Sequence, residues 1–342
     1  MTSSVPITPA PKSGSSFARL LLIALLLAAP PLLAVAIAFM PGPLTDAKTI
    51  VVAHGTRVSS IAATLEQGDI AYNRYIFRLA ARLLAGDQLK AGEYAFAPHQ
   101  STADIVLMMR DGRSVVRLFT VAEGLSSIEI AHMLQSNPAL TGDMPPAAEG
   151  SLLPETYRYS YDDSRAGLIV RMQKAMEETL SDLWPKRDPG LPLKSPQEAL
   201  IMASIIEKET GKPEERPRVA RVFYNRLAHN MRLQSDPTVI YAINKGDGPL
   251  DHELDHADLA FNSPYNTYTN DGLPPGPICN PGRASLEAAL HPEPNDYLYF
   301  VADGTGGHVF SNNLVEHNQN VTKWNAMKAQ ENVPPGVKPA AP

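Results

Sequence analysis

One acid closes an apolar run: Ala199-Leu-Ile-Met-Ala-Ser-Ile-Ile206 leads into Glu207-Lys208-Glu209-Thr210. The run reads as a buried helix with a well-signalled start. Ser195 can cap it, Pro196 suits its first position, and Glu198 stands three residues after Ser195, as a capping box requires. Glu207 falls on the stripe of Leu200, Ala203 and Ser204, which should face the interior. A carboxylate there is either paired or carries a raised pKa, and a raised pKa is what a general acid at neutral pH needs. The plainer alternative makes Glu207 the first polar residue where a core helix meets solvent, with Lys208 and Glu209 on the wet side.

Three polar and aromatic clusters follow. The first, 231–241, holds Gln234, Ser235, Asp236, Thr238 and Tyr241. The second, 262–278, holds Asn266 and Tyr268. The third joins Phe300–Asp303, Phe310-Ser311 and Glu316-His317-Asn318. Amides, hydroxyls and aromatic faces gathered in rigid loops suit a sugar-binding cleft, because they satisfy hydroxyls and pack on pyranose rings. The same residue types are ordinary turn formers.

A rival chemistry stands in His252-Glu253-Leu254-Asp255-His256, which matches H-E-x-x-H. In a zinc peptidase the two histidines hold the metal and the glutamate acts as base. The surroundings argue against it, since Gly246–Leu250 is rich in helix breakers and the segment is acidic. No metal or organic cofactor is expected. Cys279, the single cysteine, lies among prolines and glycines and reads as structural.

The 342 residues suffice for two folded domains and a short extra segment. Charged residues make up 19% and hydrophobic ones 44%, a globular balance. A net charge of -6 argues against a nucleic-acid binder and not against a polysaccharide substrate. Residues 1–16 are rich in Ser, Pro and Thr and are expected to form a disordered cytoplasmic tail. Leu20 to Met40 carries no charge and is long enough to cross a bilayer, so 17–40 is expected to be a transmembrane helix. Lys12 and Arg19 before it place the N-terminus in the cytoplasm and the bulk of the chain outside, at the cell inner membrane. A cleaved signal peptide is the competing reading; the apolar stretch outlasts a usual h-region.

These pieces point to an α+β protein. Residues 48–117 read as strand, helix, helix, strand, a small module that looks like a LysM-type carbohydrate binder. Residues 118–330 read as a larger α+β catalytic domain, with helices over 166–184, around the Glu207 run and over 217–230. From Gly246 onward the chain is expected to be loop-rich, and 331–342 to be a flexible tail.

The segment Ala203-Ser-Ile-Ile-Glu-Lys-Glu-Thr210 resembles the catalytic stretch of the endolytic murein transglycosylases, the MltG or YceG-like family. So do Glu149-Gly-Ser-Leu-Leu-Pro-Glu-Thr-Tyr157, Val222-Phe-Tyr-Asn-Arg-Leu227, Leu233-Gln-Ser-Asp-Pro-Thr-Val-Ile-Tyr241, Ser263–Tyr268, Gly272–Ile278 and Glu316–Asn318. The resemblance implies cleavage of the MurNAc–GlcNAc bond in nascent peptidoglycan strands, leaving a 1,6-anhydro end and terminating strand elongation. It implies Glu207 as the sole acid/base, the clustered residues as the substrate-binding set, and peptidoglycan synthases as partners at the membrane. A non-catalytic glycan-binding scaffold is the remaining alternative.

Overall fold

The computed structural model describes Leu20, Ile23 and residues 33–331. The expected disordered tail, most of the apolar run and residues 332–342 lie outside the described residues. Among the described residues no helix is long and apolar enough to cross a membrane.

The chain forms two compact units. The first spans residues up to Arg117 and takes back Ser160–Asp162. In it, β1 (Lys48–Val52) leads to α1 (Val58–Gln67) and α2 (Arg74–Ala85), and β2 (Gly92–Phe96) returns to α3 (Thr102–Asp111). The strands pair antiparallel, Lys48 opposite Phe96 and Val52 opposite Gly92. Asn73 starts α2 by accepting the Tyr75 and Ile76 amides at 2.8 and 3.4 Å, and left-handed Gly86 ends it. Leu65, Phe77, Tyr94, Phe96 and Ile105 fill the core. The strand–helix–helix–strand order is present, and α3 is an element that the sequence reading did not anticipate.

The second unit runs from Leu118 to Tyr159 and from Asp163 onward. Short strands edge it: β3 (Arg117–Thr120) pairs with β5 (Thr156–Tyr159), and β4 (Leu140–Thr141) with β6 (Asp163–Ser164). Its helices are α4 (Ser127–Gln135), α5 (Arg165–Leu183), α6 (Pro196–Glu209), α7 (Arg216–Ala228), α8 (Asp236–Asn244), α9 (His256–Leu259), α10 (Arg283–Leu290) and α11 (Leu314–Glu331). Strands β7 (Tyr299–Ala302) and β8 (His308–Ser311) form a hairpin before α11.

Helix α6 is the centre. Every residue from Ala199 to Ile206 is buried, so the helix is apolar all round, as an interior helix must be. Met176 of α5, Phe223 of α7 and Leu286 of α10 pack around it. Ser195 caps it, accepting the Glu198 amide at 3.3 Å. The Glu198 carboxylate bonds the Lys194 amide instead of completing the box.

The segment beyond Gly246 is loop-rich as expected up to Gly282, where only the short α9 interrupts it; α10, β7, β8 and α11 follow. The first polar cluster runs from a loop that holds Gln234 and Ser235 into α8, and the third lies mainly on β7, β8 and α11 rather than in loops. Ser235 is the N-cap of α8, with Pro237 in its first turn, so Thr238 and Tyr241 are helical. Asn313 accepts the Glu316 amide at 2.9 Å at the start of α11, so Glu316, His317 and Asn318 are helical as well.

Candidate active site

Five of the clustered polar residues line a cavity of about 370 Å³ in the second unit, and the acids that reach it are Glu209 and Asp236. Glu209 is the last residue of α6, where the helix dipole disfavours negative charge. The Ser235 hydroxyl donates to Glu209 Oε1. Burial, above all, pushes the Glu209 carboxyl up to about 7, and the neighbouring charge of Asp236 pushes the same way. The Ser235 hydrogen bond and the Arg226 charge oppose that rise.

Gln234 and Asp236 flank Ser235 at the entry to α8 and line the cavity. Gln234 holds a left-handed backbone with φ of 47°, its amide donating to Thr267 O at 3.2 Å. A non-glycine residue in that region is uncommon and must be held there by its surroundings. Tyr268 lines the cavity and donates its hydroxyl to Asp236 Oδ1 at 2.5 Å. Burial raises the Tyr268 pKa, and its bond to Asp236 adds to that, so the phenol stays a donor.

Across from these, α11 contributes His317 and Asn318, and β7 contributes Tyr299 and Phe300. The His317 ring stacks on Tyr299 with centroids 5.0 Å apart. Burial depresses its pKa, helped by the charge of Arg226, so the imidazole is neutral near pH 7. His317 Nδ1 is buried without a hydrogen-bond partner among the described residues. Arg226 of α7 supplies a fixed cation: Nε donates to Leu298 O at 2.7 Å and Nη1 to Leu233 O at 2.6 Å. Both carbonyls belong to neighbouring segments, so the guanidinium is clamped.

The remaining expected residues lie elsewhere. Glu207 is not in the cavity. Its side chain is 4% exposed and pairs with Arg216 Nη2 at 3.0 Å, while its second oxygen accepts the Gly282 amide at 2.8 Å. Arg216 also reaches Glu123 at 3.2 Å. A side chain at Gly282 would meet the Glu123 carboxylate, which would have to swing away. Thr238 and Asn266 are fully buried scaffold. The Thr238 hydroxyl donates to Ser235 O at 2.6 Å. The Asn266 amide holds Leu259 O and Phe261 O, and its oxygen accepts the Tyr268 amide at 2.9 Å. They position the residues that line the cavity. Tyr241 faces two other hollows, beside Glu149 and Tyr265. Glu316 is exposed and accepts the Asn312 amide at 3.3 Å.

Glu209, Arg226, Tyr299 and Leu314 line the cavity without having been singled out as site residues, and Phe300 of the third cluster lines it with them. The signal for Glu209 was present, since it carries the same offsets from Met202, Ile205 and Ile206 as Glu207 does from its own stripe. The rival metal motif does not assemble. His252 lies in a bend, bonded to Asp251 at 2.7 Å and Asp258 at 3.0 Å, and only His256 stands on α9. The two histidines therefore do not project from one helix. Cys279 is buried with its thiol on Ser204 O at 3.3 Å, and burial pushes its pKa well up, which suits a structural role.

A family model for the YceG-like family matches residues 50–323. The chain belongs to the YceG-like family. An endolytic murein transglycosylase of Bacillus subtilis is 31% identical over 321 residues, covering 84% of this chain and 88% of that protein. A protein of the same description from Streptococcus pneumoniae is 30% identical, covering 80% of this chain and 58% of its own length. The crystal structure of a YceG-like protein from Listeria monocytogenes superposes with a TM-score of 0.50 at 34% identity, covering 80% of this chain and 99% of that one. The mixed α+β architecture is therefore that of this family.

Proposed function

We propose that this YceG-like chain is an endolytic peptidoglycan lytic transglycosylase with Glu209 as its acid/base. The observation that carries the reading is a carboxyl group held near pH 7 inside a polar, aromatic cavity of sugar-binding composition. Glycosidases that use water need two carboxylates, one as acid and one as base or nucleophile. A lytic reaction needs one, used twice. Protonated Glu209 gives its proton to the glycosidic oxygen as the bond to MurNAc C1 breaks, releasing the GlcNAc 4-hydroxyl. The MurNAc 6-hydroxyl then bonds to C1, and its proton returns to Glu209. No water is consumed and the residue ends as it began.

Acid/base help of this kind contributes about 10²–10⁴-fold. The remainder must come from holding a distorted sugar and from charge placed where oxocarbenium character develops. Asp236, oriented by Tyr268, is the carboxylate placed for that task. Gln234, His317 and Asn318 are placed for the sugar hydroxyls and amides, and Tyr299 for a ring face. The experiment is incubation with peptidoglycan strands and mass spectrometry of the ends. Anhydro ends support a lytic enzyme, whereas reducing ends would mark a hydrolase using Asp236 as its second carboxylate.

We further propose that the uncharged run Leu20–Met40 anchors the chain in the plasma membrane with the folded units outside. The first unit acts as a LysM-like glycan holder, and peptidoglycan synthases work alongside. The apolar run and the resemblance stated above support this reading.

A further inference from the structure

The first unit carries a groove of about 440 Å³, apart from the Glu209 cavity. Arg57, from the N-cap of α1, and Arg78 and Arg82, one turn apart on α2, converge on it with Tyr75 and Leu79. The three guanidinium groups make no hydrogen bond or ion pair among the described residues. Among the described residues lining the groove, Asp87 is the only acid, and it bonds none of the three. Three like charges around one concavity repel one another until an anion enters, and guanidinium forks match phosphate oxygens.

The position of the groove names the source of that phosphate. Residues 33–38, the end of the uncharged run, are helical, and Ala38 is buried in the core of this unit. Ala34, Val35, Ala38 and Phe39 pack against Leu79 and Leu83 of α2. Leu79 thus has the end of the run on one side and the arginine groove on the other. Leu33, Phe39, Met40, Tyr75 and Leu83 leave large apolar surfaces exposed around it. Tyrosine and arginine bordering apolar surface are the composition of a membrane–water interface.

We propose that this groove seats the phosphate of an anionic membrane phospholipid, fixing α2 to the bilayer surface. The proposal rests on the membrane anchor proposed above. The test uses the full chain in nanodiscs of phosphatidylcholine, with and without phosphatidylglycerol, read by hydrogen exchange of residues 74–85. Phosphatidylglycerol should slow exchange there about fivefold or more, and Arg57→Gln/Arg78→Gln/Arg82→Gln should abolish that difference while the chain still co-elutes with the discs. Equal exchange in both lipids, with co-elution intact, overturns the proposal and leaves the anchor standing. A chain that does not enter discs of either lipid overturns both. Equal protection in phosphatidylcholine discs by inorganic phosphate, or by peptidoglycan strands, would assign the groove to a free anion or to glycan and overturn the lipid assignment.

Discussion

The two carboxylates at the end of α6 stand two residues apart, so at about 100° per residue they point to nearly opposite sides of the helix. On one side Glu207 meets Arg216, the Gly282 amide and a second-rank neighbour in Glu123. Its charge is met directly by the Arg216 guanidinium, which it shares with Glu123, and by the Gly282 amide, and these bonds tie α6 to α7 and to the loop before α10. On the other side Glu209 meets a serine hydroxyl, a second carboxylate and a distant clamped arginine. Its charge is not matched, so its proton is held to about pH 7. Burial is common to both and does not tell a structural acid from a chemical one. The difference lies in whether a cation meets the carboxylate directly, and in whether open volume lies beside it.

The comparison breaks if either residue behaves as the other. The largest expected effect is on turnover: Glu209→Gln should cost about 10³-fold in anhydro-product formation, with the fold and glycan binding retained. The second is on stability. Glu207→Ala leaves Arg216 buried with Glu123 as its remaining carboxylate partner, and should destabilise the second unit by about 3 kcal/mol in denaturant unfolding. Activity per folded molecule should stay within about tenfold.

The pH profile sharpens the contrast. Turnover requires protonated Glu209, so it should fall as pH rises above about 7. Ser235→Ala removes a bond that lowers the Glu209 pKa and should move that alkaline limb to higher pH. Asp236→Asn removes a charge that raises it and should move the limb to lower pH. A limb that ignores both changes would assign the titration to another group. The last contrast is in the thermal stability of Glu209→Gln. A carboxyl whose folded pKa is raised from 4.5 to about 7 favours folding while protonated, and that advantage fades as pH rises between those values. The variant should therefore match the parent at pH 5 and melt higher at pH 8.

Much of the scaffold was legible because it obeys local rules. Ser195 and Pro196 announce α6. What spacing leaves open is phase. A helix buried all round presents no single inward stripe, so the offsets that selected Glu207 select Glu209 equally well. The choice is made by Ser235, Asp236 and Arg226, which arrive from two later helices and cannot be placed by spacing. Helix α11 was missed for another reason. Its Leu314–Glu331 sequence is polar and largely exposed, so apolar periodicity is faint, although Asn313 marks its start. Of the residues chosen for sugar contact, Gln234, Asp236, Tyr268, His317 and Asn318 do line one cavity. Thr238 and Asn266 have the same chemistry but spend it on the backbone beneath.

The most direct test sets the two glutamates side by side on one substrate. Purified Glu207→Gln and Glu209→Gln proteins are incubated with un-crosslinked peptidoglycan strands, and 1,6-anhydroMurNAc ends are counted by mass spectrometry against the parent. Glu207→Gln should yield those ends in proportion to its folded fraction, and Glu209→Gln, fully folded, should yield almost none. Abundant anhydro ends from folded Glu209→Gln, or their loss from folded Glu207→Gln alone, would contradict the assignment.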